Sequence, residues 1–471
     1  MKKENINKTI KKGVVWTGLD FVGKAGLQFV LQLILAKILT PSDFGIIGMA
    51  MVFSVVIQAF VDFGFASALI QMPDKEISEK TYSTTFWTGF GLNLLVYLLL
   101  CLIIGPIAAN FYNEPILIKV FPILSLNIIF NSFNIIQLVI LTRDMEFNKL
   151  AIVSFIGNLV ACLTSVIMAY NGFGLWSIAI NGAVISLVSL PIYFYFNKWL
   201  PKLIWKKIEF NKIFSFGIYT TGTQLTNNIT SQIDYLLIGK LVDKHNLGIY
   251  SFSFQITSII RSAIVGIISK VMYPVYAQIR NDKRALRNYY GQIVKFNTLM
   301  VSSIMIILFL YSEHILQMAY GNKWNEAIDI IRILSISSIV TVMAGSNTSL
   351  IRALGYASLE FKIQLFKTVL IYIPSIILGT YFYGIVGTAW SIFFNGIASV
   401  VIAMYFMSKL IGFNYYDLIK SIYKTAIICL IIYVAYLFFK NSFIISISVS
   451  ITLLFTLSSL AYKNELQKLK L

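Results

Sequence analysis

Fourteen apolar runs follow one another along the chain, and short segments rich in Pro, Gly, Asn or charged residues separate them. A helix needs about 20 apolar residues to cross a bilayer. Because hydrocarbon offers no hydrogen-bond partners, a crossing segment must satisfy its own backbone, and each run is predicted to be a helix. The predicted spans are 12–39, 43–70, 81–110, 116–141, 149–170, 173–197, 212–239, 246–275, 288–312, 324–350, 357–381, 384–408, 421–439 and 442–462.

The composition excludes a water-soluble enzyme. Hydrophobic residues make up 58% of the 471 residues and charged residues 12%, whereas about 25% charged is usual for soluble domains. Fourteen spans also leave no room for a sizeable domain outside the membrane. The predicted fold class is therefore all-α, a polytopic membrane protein with about 14 transmembrane helices.

The distribution of Lys and Arg predicts how the chain is oriented. With the N-terminus in the cytoplasm, 26 of the 38 Lys and Arg residues fall in inner segments and 5 in outer loops. Basic residues concentrate on the cytoplasmic side of membrane proteins, so both termini are predicted to be cytoplasmic. The inner loop 198–212, KWLPKLIWKKIEFNK, mixes lysines with Trp, Leu and Ile and is predicted to be an amphipathic linker along an anionic leaflet.

The two halves of the chain resemble each other. LAKILTPSDFGII in the first half matches IGKLVDKHNLGIY in the second, and Lys37 and Gly45 align with Lys240 and Gly248. At a single shift of 214, six further residues recur in order: Glu146, Phe147, Trp176, Ser177, Asn181 and Gly182 match Glu360, Phe361, Trp390, Ser391, Asn395 and Gly396.

The repeat predicts the domain organisation. It begins at the first and seventh helices, so each copy holds six helices and enters the membrane from the same side. Such parallel repeats form transporters whose substrate site lies at mid-membrane between the two bundles. The predicted parts are an N-terminal lobe 1–197, the linker 198–212, a C-terminal lobe 213–411 and an appended helix pair 412–471.

The first helix carries a polar stripe that lipid would not tolerate. Asp20, Lys24 and Gln28 are spaced by four residues and share one helix face, where Asp20 and Lys24 can form an ion pair. In the seventh helix the aligned positions hold Gln224, Asn228 and Gln232. Polarity at this depth is thus a property of both copies.

Further ionisable residues fall within or near the spans, and basic ones outnumber acidic ones. They predict a water-filled, net-cationic path for an anionic substrate, whereas ion pairs and snorkelling side chains are the structural alternative. Lys37, Lys295, Arg332 and Lys367 are assigned to that alternative. The predicted substrate path comprises Asp20, Lys24, Gln28, Asp62, Gln224, Asn228, Asp234, Arg261 and Lys270.

Several chemistries lack their sequence motifs. Neither GxxxxGK[ST] nor GxGxxG is present, so no nucleotide cofactor is expected. The two histidines and three cysteines lie far apart, and no metal site is expected. The sequence therefore predicts a transporter that is not an enzyme, has no cofactor and binds no nucleic acid.

Short motifs spread over about three quarters of the chain carry a family resemblance. The sequence resembles the polysaccharide-exporter branch of the multidrug/oligosaccharidyl-lipid/polysaccharide (MOP) superfamily, the Wzx-type and teichuronic-acid-type flippases also called lipopolysaccharide biosynthesis proteins. The matching stretches are LTPSDFGIIGM at 39–49, DFGFASALIQ at 62–71, TRDMEF at 142–147, GFGLWS at 172–177, DYLLIGK at 234–240, LGIYS at 247–251, YPVYAQI at 273–279, YGNKW at 320–324 and RALGY at 352–356.

The resemblance implies two MATE-like lobes around a V-shaped cleft. It also implies a substrate, an oligosaccharide joined through phosphate or diphosphate to a polyprenyl carrier, moved from the inner to the outer leaflet of a bacterial plasma membrane. Coupling to H+ or Na+ stays open, with Asp20, Asp62 and Asp234 as candidate ion carriers. Two alternatives also stay open: a cation-coupled drug or metabolite antiporter of the same fold, and a multispanning enzyme acting on the same glycolipids.

Overall fold

The computed structural model describes residues 3–62, 64–439 and 442–461, and within these ranges the chain is helical without any β-strand. It forms two compact units, Met1–Gly248 and Ile249–Leu471. The helices of the first unit are α1 (Lys3–Ile38), α2 (Pro41–Asp62), α3 (Phe65–Gln71), α4 (Glu79–Leu99), α5 (Gly105–Tyr112), α6 (Leu117–Arg143), α7 (Phe147–Tyr170), α8 (Trp176–Ala179), α9 (Asn181–Phe196) and α10 (Lys207–Leu241).

The second unit continues with helices of similar length. Helix α11 starts in the last residues of the first unit and runs on through the second. The remaining helices are α11 (Lys244–Gln278), α12 (Lys283–Tyr320), α13 (Ala327–Val342), α14 (Asn347–Ala353), α15 (Ala357–Lys367), α16 (Ile373–Ile411), α17 (Tyr415–Phe439) and α18 (Phe443–Ala461).

Local signals in the sequence set several helix ends. Ser78 and Thr81 form a capping box at the start of α4, each side chain bonding to the backbone N–H of the other. The Asp282 carboxylate accepts hydrogen bonds from the first N–H groups of α12. Gly64 separates α2 from α3 in a left-handed conformation that other residues rarely adopt.

The helices agree with the predicted spans. Ten of them are long and apolar enough to cross a membrane, counted over the residues that the structure describes. One of the ten, Ser358–Ile411, contains two predicted spans, because α16 breaks at Tyr383 and at Gly384, which has a φ of 57°. The predicted fold class is confirmed, and the exact count of fourteen spans stays a prediction.

The same close helix contact occurs in both copies of the repeat. A methyl group on Gly182 would lie 3.4 Å from the Asn127 side chain, and one on Gly396 would lie 2.9 Å from the Thr341 hydroxyl. Both the glycines and their neighbours are 214 residues apart. The glycine thus lets two helices approach closely at the same place in each unit.

A side-chain hydrogen bond is repeated as well. The Asn181 amide donates to the Ser165 hydroxyl at 2.9 Å in the first unit, and the Asn395 amide donates to the Ser375 hydroxyl at 2.6 Å in the second. The two donors are 214 residues apart and the two acceptors 210 apart, so the acceptor in the second unit lies one helical turn earlier; each bond joins two predicted spans. The duplication read from the sequence is therefore also present in how each unit packs.

The last two helices pack against α12 inside the second unit. Arg287 forms a bidentate ion pair with Asp417 at the start of α17, with hydrogen bonds of 2.9 and 2.8 Å. Further along α12, the buried Tyr311 hydroxyl lies within hydrogen-bond distance of Ser446 and Ser450 in α18. Polar side chains thus fix this helix pair within an apolar surrounding.

An extended segment, residues 197–206, connects α9 to α10, and we call it the strap. It includes most of the lysine-rich part of the predicted linker. The lobe boundaries predicted from the repeat stay a prediction. The boundary between the two compact units falls elsewhere in the sequence, between Gly248 and Ile249.

Candidate functional site

The predicted ion pair on α1 is present. Lys24 Nζ lies 2.9 Å from Asp20 Oδ2, and the two side chains are 41% and 22% exposed. The second oxygen, Asp20 Oδ1, is buried and accepts no hydrogen bond from any residue that the structure describes. Asp20 also interacts electrostatically with the buried Tyr193 of α9. A charged group with one unsatisfied oxygen at membrane depth needs water or a ligand.

The rest of the predicted stripe on α1 divides between surface and interior. Gln28 is exposed, and Gln32 is 8% exposed with an Nε2 that finds no acceptor in the described ranges. Elsewhere along α1, the helix packs on α7, where the Cys162 thiol approaches the Leu27 carbonyl oxygen at 3.8 Å. Helix α1 thus carries one buried carboxylate oxygen and one buried amide nitrogen without a protein partner.

On α10, two predicted residues lie inside the first unit. The Asn228 amide donates to the Val55 carbonyl oxygen of α2 at 2.7 Å and so joins the two helices. Asp234 is 1% exposed, and its Oδ1 accepts the backbone N–H of Tyr235 at 3.0 Å. A carboxylate buried this deeply in a membrane protein is costly unless it is paired, protonated or ion-bound.

Arg261 lies in the second unit, on α11. Its side chain is half-buried, and it interacts electrostatically with Tyr250 and Tyr372. A phenol is uncharged at neutral pH, so neither tyrosine balances the positive charge of Arg261. The other predicted path residues, Asp62, Gln224 and Lys270, have side chains outside the described part of the chain.

Two charges assigned to structural roles have neighbours that suit that assignment. Lys367 donates from Nζ to the Ser399 hydroxyl at 3.3 Å, and Arg332 pairs with Glu313 at 2.9 Å. Both contacts join helices within the second unit. Within the described residues, no group of three His, Cys, Asp or Glu side chains can hold a metal ion.

The sequence interpretation missed a reciprocal helix crossing. A methyl group on Gly45 of α2 would overlap the carbonyl of Lys244, and one on Gly248 of α11 would overlap the carbonyl of Pro41. Gly45 aligns with Gly248, and Pro41 aligns with Lys244, both at a shift of 203. The first turns of α2 and α11, the second helix of each repeat, therefore cross backbone to backbone inside the first unit.

Two lysines near this crossing in the sequence, Lys240 and Lys244, contact residues that follow α5 or end it. Lys240 Nζ donates to the Phe111 carbonyl oxygen at 2.6 Å and lies 4.7 Å from the centre of the Phe111 ring. Lys244 Nζ pairs with Glu114 at 2.9 Å. These residues lie in predicted outer loops, so the contacts join the α10–α11 corner to the α5–α6 corner on the predicted outer side.

Arginines in two of the family-like motifs bind neighbouring helices: one binds the end of α3, and the other joins α14 to α15. Arg143 of TRDMEF donates to the carbonyl oxygens of Leu69 and Met72, the latter at 2.7 Å, where α3 ends. Arg352 of RALGY pairs with Glu360. Both residues lie on the predicted inner side, and their contacts are structural.

Comparison with known proteins places the chain in a family. A family model described as a polysaccharide biosynthesis protein matches residues 34–329, which is more than half of the chain. The chain belongs to this polysaccharide biosynthesis family. The resemblance seen in the short motifs is thereby confirmed.

Relatives match over nearly the whole length. The teichuronic acid biosynthesis protein TuaB of Bacillus subtilis (strain 168) is 25% identical over 426 residues, covering 90% of this chain and 87% of TuaB. The lipopolysaccharide biosynthesis protein WzxC of Escherichia coli (strain K12) is 24% identical over 420 residues, covering 88% of this chain and 84% of WzxC.

A solved structure shares the fold. The lipid II flippase MurJ, in an inward closed conformation, superposes with a TM-score of 0.77 at 17% identity, covering 96% of this chain and 100% of that one. This similarity shows the fold. The chain is a multi-pass membrane protein.

Proposed function

We propose that the protein is a flippase that moves lipid-linked oligosaccharide units from the inner to the outer leaflet of a bacterial plasma membrane, by alternating access, for cell-surface polysaccharide synthesis. The observation that carries this proposal is membership in a polysaccharide biosynthesis family by a chain that consists of membrane helices almost throughout. The described residues form long apolar helices, which suits the transport step of such a pathway.

The proposed substrate matches the polar residues on the helices. A sugar head linked to phosphate or diphosphate cannot cross hydrocarbon unaided, whereas its polyprenyl tail never needs to leave it. The buried atoms of Asp20 and Gln32 without a protein partner support a wet path along α1. The positive charges of Lys24 and Arg261 offset the cost of removing water from the phosphates.

The membrane potential favours this direction of movement. With the interior negative, carrying one uncompensated negative charge outward gains about 2.3 kcal/mol per 100 mV. Coupling to H+ or Na+ is a further proposal, and Asp234 suits it because its carboxylate is 1% exposed.

The lysine contacts at the predicted outer end suit a state closed to the outside. Lys240 and Lys244 join two corners of the first unit through exposed or half-exposed groups. Exposed pairs of this kind contribute about 0.2–1 kcal/mol, which is small enough to be broken in each transport cycle. Both chain termini are proposed to be cytoplasmic, following the distribution of Lys and Arg.

A deletion strain tests the proposal directly. We expect loss of a surface polysaccharide together with accumulation of its lipid-linked unit on the inner leaflet, measured by solvent extraction, mass spectrometry and protection from an external glycosidase. Expression of the intact chain should reverse both effects. A deletion strain with normal polysaccharide and increased sensitivity to cationic drugs would contradict the proposal and favour an antiporter.

A further inference from the structure

The strap is held on α4 by hydrogen bonds along its length. Its backbone N–H groups at Lys202 and Lys206 donate to the hydroxyls of Ser83 and Thr84, both at 3.1 Å. The Trp87 indole of α4 donates to the Lys202 carbonyl oxygen at 2.8 Å. The strap therefore has a defined position and does not lie loosely on the membrane.

Indole groups of the strap add further bonds to the same helix. Trp199 Nε1 donates to Glu79 at 3.0 Å, and Trp205 Nε1 donates to the Thr88 hydroxyl at 3.0 Å. The Gln137 amide of α6 donates to the Trp199 carbonyl oxygen at 2.8 Å. The strap thus bridges α4 and α6.

An apolar pocket lies behind the strap. Its volume is 470 Å³, which lies within the range of ligand-binding pockets. Gln137 is the one amide among the lining residues: its Nε2 donates to the strap, and its Oε1 is buried and accepts no hydrogen bond from the described residues. The other lining residues are Phe86, Trp87, Phe90, Phe133, Phe194, Trp199, Leu200 and Pro201.

Four lysines lie next to the pocket-lining residues of the strap in the sequence. Lys198 and Lys202 directly flank its lining residues 199–201, and Lys206 and Lys207 follow. All four are exposed, and none forms an ion pair with a carboxylate in the part of the chain that the structure describes.

The nearby carboxylates are engaged elsewhere. Glu79 accepts from Trp199, and Glu209 accepts from the Thr81 hydroxyl at 3.1 Å and lies 3.7 Å from Lys212. The lysine group therefore keeps its positive charge available for an anion. Leu200 and Leu203 are 64% and 89% exposed, which places apolar side chains beside the same charges.

We propose that the strap forms a binding site for an anionic phospholipid of the inner leaflet, with one acyl chain in the pocket and the phosphate headgroup on the lysines. No residue of the predicted substrate path lines this pocket or lies in the strap, and the proposal does not depend on the transported molecule. The occupant is an amphiphile because the pocket is apolar and the adjacent surface is cationic. Phosphate and apolar chain in one molecule are the features of a phospholipid.

The headgroup, and not the chain, sets the selectivity. A lipid chain that moves from the bilayer into an apolar pocket leaves one apolar surrounding for another, so chain burial alone distinguishes little. Basic residues at an anionic leaflet each contribute to binding. We therefore expect phosphatidylglycerol to bind and phosphatidylcholine, which has no net charge, to bind much less.

Native mass spectrometry of the purified full-length protein tests the site. The variant K198Q/K202Q/K206Q/K207Q removes the four charges, and R280Q/K283Q/R284Q/K420Q is a matched control, because it removes four exposed charges from other predicted inner segments. We expect the first variant to retain phosphatidylglycerol at least about tenfold less than the intact chain. The control should retain it as the intact chain does.

A second measurement locates the acyl chain. Phosphatidylglycerol with brominated chains should quench the fluorescence of Trp87 and Trp199, and the part of the quenching that K198Q/K202Q/K206Q/K207Q loses should also be absent in W87F/W199F. Because both indoles also hold the strap, native mass spectrometry must show that W87F/W199F still retains phosphatidylglycerol. Equal retention of both lipids by the intact chain, or equal loss in the two charge variants, would overturn the proposal. Displacement of phosphatidylglycerol by an equimolar polyprenyl phosphate would also overturn it, because the pocket would then hold the tail of a carrier lipid.

Discussion

Adding one methyl group at the α2–α11 crossing is a sharp test of the reciprocal contact. In Gly45→Ala the new carbon would lie 2.7 Å from the carbonyl carbon of Lys244 and closer still to its oxygen. Ordinary contact begins at 3.4 Å, so the carbon alone requires the two backbones to move apart by about 0.7 Å, and the nearer oxygen requires more. No side-chain rotation relieves this overlap, since both atoms that meet belong to the backbone.

The expected cost follows from general magnitudes. Overpacking of this kind costs about 1–3 kcal/mol, and replacing a helical glycine by alanine returns about 1 kcal/mol. The net loss is up to about 2 kcal/mol. At about 2–4 °C per kcal/mol for a unit of this size, the melting temperature should fall by up to about 8 °C. Gly248→Ala should behave alike, because its contact with Pro41 is equivalent.

A neighbouring glycine provides the control. A methyl group on Gly48 would lie 3.4 Å from the flexible side chain of Leu247, so Gly48→Ala should leave the melting temperature unchanged or raise it. The assay is thermal melting of the three purified variants, together with rescue of surface polysaccharide in a deletion strain. If Gly45→Ala has the same melting temperature as Gly48→Ala and restores surface polysaccharide fully, the backbone crossing does not constrain the protein and the reasoning is refuted.

Other substitutions test the path, the outer contacts and the family-like motif. Lys24→Ala and Arg261→Ala should fold and insert but lower surface polysaccharide severalfold, whereas Lys367→Ala should do much less; normal polymer in the first two would discard the cationic path. Glu114→Gln should weaken the pair with its lysine by about 0.2–1 kcal/mol, and labelling of an engineered cysteine from outside should rise up to about fivefold; unchanged labelling would contradict an outer contact that opens. Arg143→Ala should lose charge-assisted bonds to carbonyls worth about 1.5–3 kcal/mol and melt lower than Arg143→Lys; equal melting of the two would assign the loss to side-chain packing.

The sequence alone predicts most of the helices, for a physical reason. In hydrocarbon a chain has few ways to satisfy its backbone, so an apolar run of sufficient length determines a helix. The break of α16 at Tyr383 and Gly384 was also predicted, since one predicted span ends at 381 and the next begins at 384. The repeat aligned Gly45 with Gly248, but alignment does not say that aligned residues touch.

The candidate path was less readable than the fold. Spacing predicted the ion pair of Asp20 with Lys24, because residues four apart share a helix face whatever the tertiary structure. It could not show that Asn228 binds the carbonyl of Val55, since that contact depends on how two helices cross. The strap shows the same limit: its lysines and tryptophans indicated a membrane surface, while its hydroxyl partners on α4 lie more than a hundred positions earlier.

That separation has a consequence for synthesis of the protein. The bonds between α4 and the strap join residues 115 to 122 positions apart. At about 5–20 residues per second, a ribosome needs roughly 6–24 s to deliver the strap after α4 has emerged. During that interval Ser83 and Thr84 need other hydrogen-bond partners, such as water or the carbonyls of their own helix. Nascent chains that stall before residue 206 should therefore leave the cytoplasmic start of α4 more accessible to proteolysis than the complete chain does.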